Sequence, residues 1–228
     1  MPNPLLEKLD RGLIVSCQPV PQGPMDNVEC VIGFSLAAVA AGACGLRIES
    51  LAYVEAVRAV AKVPIIGIIK HDLADYDVRI TPTAEMASQL CAAGADIVAF
   101  DATRRARPVS VADMVAAIHR NGALAMADCA DIDDAKAALA AGADIVGSTL
   151  SGYVGAAQTP EAPDYDLVAQ MAQLDGFVIA EGRIRTPEQA ALALRAGANA
   201  VVVGSAITRT EHVVSWYRDA IEGAHANA

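Results

Sequence analysis

Nothing in this 228-residue chain is long and apolar enough to read as a bilayer span, and the opening MPNPLLEKLDRG lacks the basic-then-apolar order of a signal peptide. A soluble, cytoplasmic protein is expected. The five cysteines, Cys17, Cys30, Cys44, Cys91 and Cys129, form no C-x-x-C pair and no zinc spacing, which favours free thiols over a disulfide framework. His71, His119, His212 and His225 are scattered without ligand spacing, so neither a metal nor a cofactor is expected. Positive charge is scarce too. With 17 Lys and Arg against 27 Asp and Glu, the net charge of −10 argues against a nucleic-acid or anionic-membrane surface, although a local basic pocket stays open. No linker or low-complexity stretch divides the chain, and 54% hydrophobic content suffices for one large core, so residues 1–228 are read as one domain.

What is present is a repeat. AGACGLRI (41–48), AGADIVAF (93–100), AGADIVGS (141–148) and AGANAVVV (197–204) recur at intervals of roughly fifty residues, room for two strand–helix units each. The glycines Gly42, Gly94, Gly142 and Gly197 are read as left-handed helix stops that turn the chain into a strand. Candidate strands are 12–18, 45–50, 64–70, 96–101, 124–129, 144–149, 177–182 and 200–205, near-continuous apolar runs suited to parallel strands covered on both faces. Ala-rich segments of helical period lie between them, one opening at Thr186-Pro187-Glu188 with a capping residue and a first-turn proline. Eight such units predict a (β/α)₈ barrel with its chemistry at the C-terminal ends of the strands. A doubly wound sheet would place a G-x-G-x-x-G turn after the first strand, and SCQPVPQGPM is not one.

Most strands end in a polar group: Gln18, then Arg47 and Glu49, then Lys70, Asp101, Asp128 and Glu181. Period-two alternation puts Lys70 on the face of Ile66 and Ile68, Asp128 on that of Leu124 and Met126, and Glu181 on that of Phe177 and Ile179. If the apolar partners fill the barrel, the charged groups crown it. A strand-end lysine is as often a solvated cap, and a carboxylate as often an arm of an internal salt bridge. Strands three and seven are opposed in an eight-strand barrel, however, and an acid–base pair across one volume suits proton removal and return at a carbon.

The loops after strands seven and eight, EGRIRTP (181–187) and VGSAITRT (203–210), lie where phosphate-binding barrels offer backbone N–H groups to an anion. Gly182, Gly204 and Ser205 permit close approach, and Arg183 or Arg209 adds charge. The plainer reading is that the glycines only turn the chain. Arg104, Arg105 and Arg107 form either a solvated loop or a second substrate contact. Val213, Val214, Trp216, Tyr217 and Ile221 make a helical stripe, more often a helix closing its own barrel than a homodimer surface.

VSCQ (15–18), LRIES (46–50), GIIK (67–70), ITPT (80–83), FDAT with RARP (100–108), MADC (126–129), STLSGY (148–153), AEGRI (180–184) and VGSAITR (203–209) resemble the bacterial N-acetylmannosamine-6-phosphate 2-epimerase family. The resemblance runs from about Leu6 to Arg209. It implies a small phosphosugar substrate, conversion of N-acetylmannosamine 6-phosphate to N-acetylglucosamine 6-phosphate in sialic acid breakdown, and no cofactor. Lys70 is then the acid/base residue and Glu181 its companion. Gln18, Arg47 and Asp128 contact the sugar, and Gly182, Arg183, Gly204, Ser205 and Arg209 surround the phosphate. Ser205 departs from an expected glycine and Arg79, before ITPT, from an expected aromatic. Competing readings are another sugar-phosphate isomerase or decarboxylase on the same barrel, and a phosphosugar sensor without turnover. Lysine with its usual pKa of about 10.4 is a poor base near neutrality. Burial or Arg47 would lower that value and Glu181 would raise it.

Overall fold

The structure is a computed structural model that describes residues 3–155 and 158–226. A short helix α1 (Pro4–Leu9) precedes strands β1 (Leu13–Cys17), β2 (Gly45–Glu49), β3 (Ile65–Ile68), β4 (Ile97–Asp101), β5 (Leu124–Asp128), β6 (Ile145–Gly147), β7 (Phe177–Glu181) and β8 (Ala200–Val203). Between them run α2 (Val28–Ala40), α3 (Leu51–Val60), α4 (Ala84–Ala92), α5 (Val111–Arg120), α6 (Ile132–Ala140), α7 (Tyr165–Met171) and α8 (Pro187–Arg195); α9 (Ser205–Thr208) and α10 (Thr210–Ala226) follow β8. All neighbouring strands pair in parallel and β1 pairs with β8, closing the barrel. It is a (β/α)₈ barrel, as the repeat predicts.

The repeat does what its composition requires. Gly42, Gly94, Gly142 and Gly197 have φ of +99°, +99°, +94° and +110°, a region that a side chain at Cβ disfavours, and each lies just before an even-numbered strand. Thr186 caps α8, and Gln189 returns the bond in a capping box.

Strand parity sorts the core into two layers. Ile14, Ile66, Ile68, Ile97, Met126, Ile145, Ile179 and Val202 fill the barrel, while the alternate residues pack outward against the helices. Continuing the inward parity upward gives Ser16 and Gln18, Arg47 and Glu49, Lys70, Asp101, Asp128, Thr149, Glu181 and Gly204. The strands are shorter than their apolar runs: β3 stops at Ile68, and Lys70 forms an isolated bridge to Ile80 two residues later.

The expectation for the C-terminal stripe is corrected. Val213 and Trp216 are half-buried, but Val214, Tyr217 and Ile221 are 59%, 71% and 59% exposed, so this face of α10 does not close the barrel. Its spacing of three and four residues puts those three side chains on one outward line.

Candidate active site

At the C-terminal mouth of the barrel lies a cavity of about 660 Å³ whose wall includes Gln18, Arg47, Lys70, Glu181, Gly182, Arg183, Gly204, Ser205 and Arg209. Nine of the ten expected site residues therefore line one volume. Asp128 is the exception.

Arg47 organises the floor. From β2 it reaches across the barrel, donating from Nη2 to Asp128 Oδ2 at 2.6 Å, and from Nη1 to Asp128 Oδ1 at 3.2 Å and Glu181 Oε2 at 2.8 Å. Arg47 and Asp128 are 1% and 0% exposed, and Glu181 is 14% exposed. A buried guanidinium needs such partners because neither ion has water to solvate it. Asp128, the expected sugar contact that is not part of the cavity wall, binds Arg47 and Thr149. Thr149 Oγ1 donates to Asp128 Oδ1 at 2.6 Å and lies 3.3 Å from Glu181 Oε2. Gly147 leaves room for this knot, since a Cβ there would stand 2.8 Å from Met126 Cε and 3.1 Å from Thr149 Oγ1.

Burial pushes the Glu181 carboxyl up to about 7; the Arg47 cation opposes this and the Asp128 anion adds to it. Lys70 is lowered from the usual lysine range, mainly by desolvation, against the upward pull of Glu49 and with help from Arg209 and Arg47. One carboxyl and one ammonium are thus drawn toward neutral pH from opposite sides, as acid–base work at one carbon requires. Their ion-pair partners differ from the facing pair that strand opposition suggests. Lys70 Nζ donates to Gln18 Oε1 at 2.7 Å and Glu49 Oε2 at 2.8 Å, while Glu181 pairs with Arg47.

The loops after β7 and β8 meet at the same cavity. Every helix from α1 to α8 begins with a side chain that accepts a backbone N–H, whereas α9, entered through Gly204, has no side-chain cap. Arg209 Nε donates to the Gln18 carbonyl at 2.8 Å, which ties the end of α9 to β1. Arg183, itself at φ +58°, spends much of its guanidinium on the Ser151 carbonyl and on that of Ala162 at 2.8 Å, and it lies over the Tyr153 ring. It braces the loop after β6 as well as lining the cavity.

Arg104 departs from its cluster. It pairs with Asp131, Asp133 and Asp134 around the start of α6, outside the cavity, while Arg105 and Arg107 bind Asp101. Arg105 and Asp101 line the cavity, as does Arg79, which pairs with Asp72 at 3.0 Å. His212, Trp216 and Arg185 also line the cavity, with Arg185 4.7 Å from the Trp216 ring centroid. His119 pairs with Asp144 away from the site, and the side chain of His225 lies outside the described residues. Residue-type reasoning missed Glu49 and Thr149 as site residues. Both share the inward parity of their strands, and that signal was available.

Residues 31–223 match the protein family described as "Putative N-acetylmannosamine-6-phosphate epimerase". The "Bifunctional enzyme NanE/NanK" of Brucella melitensis is 55% identical over 220 residues, covering 96% of this chain, which spans only 42% of that protein's length. A Klebsiella pneumoniae protein named "Putative N-acetylmannosamine-6-phosphate 2-epimerase" is 54% identical over 226 residues and 96% of both chains. The solved structure of the N-acetylmannosamine-6-phosphate 2-epimerase from Clostridium perfringens superposes with a TM-score of 0.92 at 35% identity, covering 96% of this chain and 97% of its own.

Proposed function

The chain belongs to the N-acetylmannosamine-6-phosphate epimerase family, and on that premise we propose that it interconverts N-acetylmannosamine 6-phosphate and N-acetylglucosamine 6-phosphate in the breakdown of sialic acid in the cytoplasm. The reacting centre is C2. In the ring-opened sugar C1 is a carbonyl, so loss of the C2 proton leaves an enolate whose charge rests on O1. Lys70, desolvated and therefore more readily neutral, takes that proton from one face of C2, and a proton delivered from the Glu181 side to the other face of the enolate re-forms the C2–H bond with the opposite configuration. Glu181, half ionised near neutrality, is the companion acid and base. Arg47 on the cavity wall gives the enolate oxygen a fixed positive charge. The uncapped start of α9 with Gly182, Gly204, Ser205 and Arg209 supports phosphate capture at the far end, which orients C2 toward Lys70.

One observation carries this reading: the Lys70 ammonium and the Glu181 carboxyl line the same cavity with proton affinities displaced toward each other. Proton NMR of N-acetylmannosamine 6-phosphate with the protein in heavy water is the test. Appearance of the second epimer with deuterium at C2 is the expected result. Binding without conversion would mark a phosphosugar sensor, and conversion without deuterium would exclude exchange with solvent. The exposed line Val214, Tyr217 and Ile221 supports a homodimer as the acting form, which sedimentation of the purified protein tests.

A further inference from the structure

Lys70 cannot aim itself. It lies two residues beyond β3 on a flexible four-carbon stem, and its ammonium is held by Gln18, just past β1, at 2.7 Å and by Glu49, on the neighbouring β2, at 2.8 Å. Glu49 ends β2 and is opposite Ile68 in register, so inward parity brings its carboxylate beside Lys70. Ser50 follows at φ +76°, accepts the Tyr53 N–H as the cap of α3, and donates its own N–H to the Ile68 carbonyl. Glu49 is thereby anchored at a turn tied to β3 itself. Its side chain is 24% exposed, and its carboxylate meets Lys70 from the neighbouring strand.

We propose that Glu49 is a positioning residue for Lys70, fixing the direction from which the amine meets the substrate carbon and supplying the negative charge that balances the arginines around it. This rests on the epimerase reading above. The charged groups facing Lys70 are Glu49 and Arg47 from β2, Glu181 from β7 and Arg209 at the end of α9, with Asp77, Arg79, Asp101 and Arg105 farther along the wall. Glu49 alone among them is ion-paired to Lys70. Its negative charge stabilises the ammonium, so its removal makes Lys70 lose its proton at lower pH.

The chain has only four lysines, Lys8, Lys62, Lys70 and Lys136, so labelling with [ε-¹³C]lysine gives a spectrum in which Lys70 can be assigned by its loss in Lys70→Met. In Glu49→Gln the Lys70 titration midpoint should fall below the wild-type value. The acid limb of kcat for the 6-phosphosugar should move the same way. Glu49→Asp keeps the charge and should stay nearer to wild type, which a merely structural role would not require. Glu49→Ala removes the strut and should lower kcat by about tenfold to a hundredfold with a smaller change in KM. An unmoved Lys70 midpoint in Glu49→Gln, or wild-type kcat in Glu49→Ala, would overturn the proposal. The titration needs no substrate: a shifted midpoint in an enzyme inactive on the phosphosugar counts against the proposed reaction and leaves the Glu49–Lys70 contact standing.

Discussion

Replacing Asp128 with alanine should cost much more stability than the loss of an exposed carboxylate would. The wild-type carboxylate accepts from both terminal nitrogens of Arg47, at 2.6 and 3.2 Å, and from Thr149 at 2.6 Å. Without it, Arg47 Nη2 loses the one partner it has among the described residues, Nε already has none, and a single carboxylate, Glu181, is left to balance a guanidinium that is 1% exposed. Breaking a buried pair from one side typically costs about 3–5 kcal/mol. That is a large share of a usual stability of about 5–15 kcal/mol. Urea denaturation followed by circular dichroism would read the loss as a lower midpoint at unchanged slope. Asp128→Asn, which keeps the shape and an acceptor, should lose less. It should also lower the Glu181 pKa from about 7, because one of the charges that raises it has gone. A loss for Asp128→Ala of less than about 1 kcal/mol, typical of an exposed ion pair, would refute the view that Arg47 is held by Asp128.

Lys70→Met should abolish epimerisation in a protein that still folds, as far-UV circular dichroism would show; measurable turnover in that variant would remove Lys70 from the reaction. Glu181, raised from 4.5 to about 7 by folding, binds its proton more tightly in the native state, so its contribution to stability falls as pH rises through that interval. Melting temperatures of wild type and Glu181→Gln between pH 4.5 and 7.5 should therefore diverge, with wild type losing ground toward high pH, and parallel curves would contradict the shift. Arg183→Met should free the loop after β6 from its ties at Ser151 and Ala162 and raise KM more than it lowers kcat, with faster amide exchange across 150–155 as the direct check.

Much of the molecule was legible in the chain because barrels are built from local rules. An Ala-Gly-Ala run ends a helix wherever only glycine tolerates positive φ, and four copies at the right spacing count out eight strands. Alternation along a strand is equally local, so the residues that crown the barrel followed from those that fill it, Lys70 above Ile68 and Glu181 above Ile179. Glu49 and Thr149 obeyed the same alternation but were outranked by residues of more conspicuous chemistry. The stripe on α10 showed that the helix is amphipathic; which neighbour it faces depends on the path of the chain after α9, and no periodicity encodes that.

The sequence by itself determined the barrel and the set of groups at its mouth, since both depend on backbone conformation and side-chain parity within single elements. The tertiary structure decided the pairing. Whether Lys70 pairs with Glu181 or Glu49, and which carboxylates hold Arg47, depends on reach across a closed barrel. There a long guanidinium spans from β2 to β5 and β7, and two adjacent strands bring a carboxylate within 2.8 Å of an ammonium. Ion pairing falls steeply with distance and depends on burial, so those partnerships exist only once the barrel has closed.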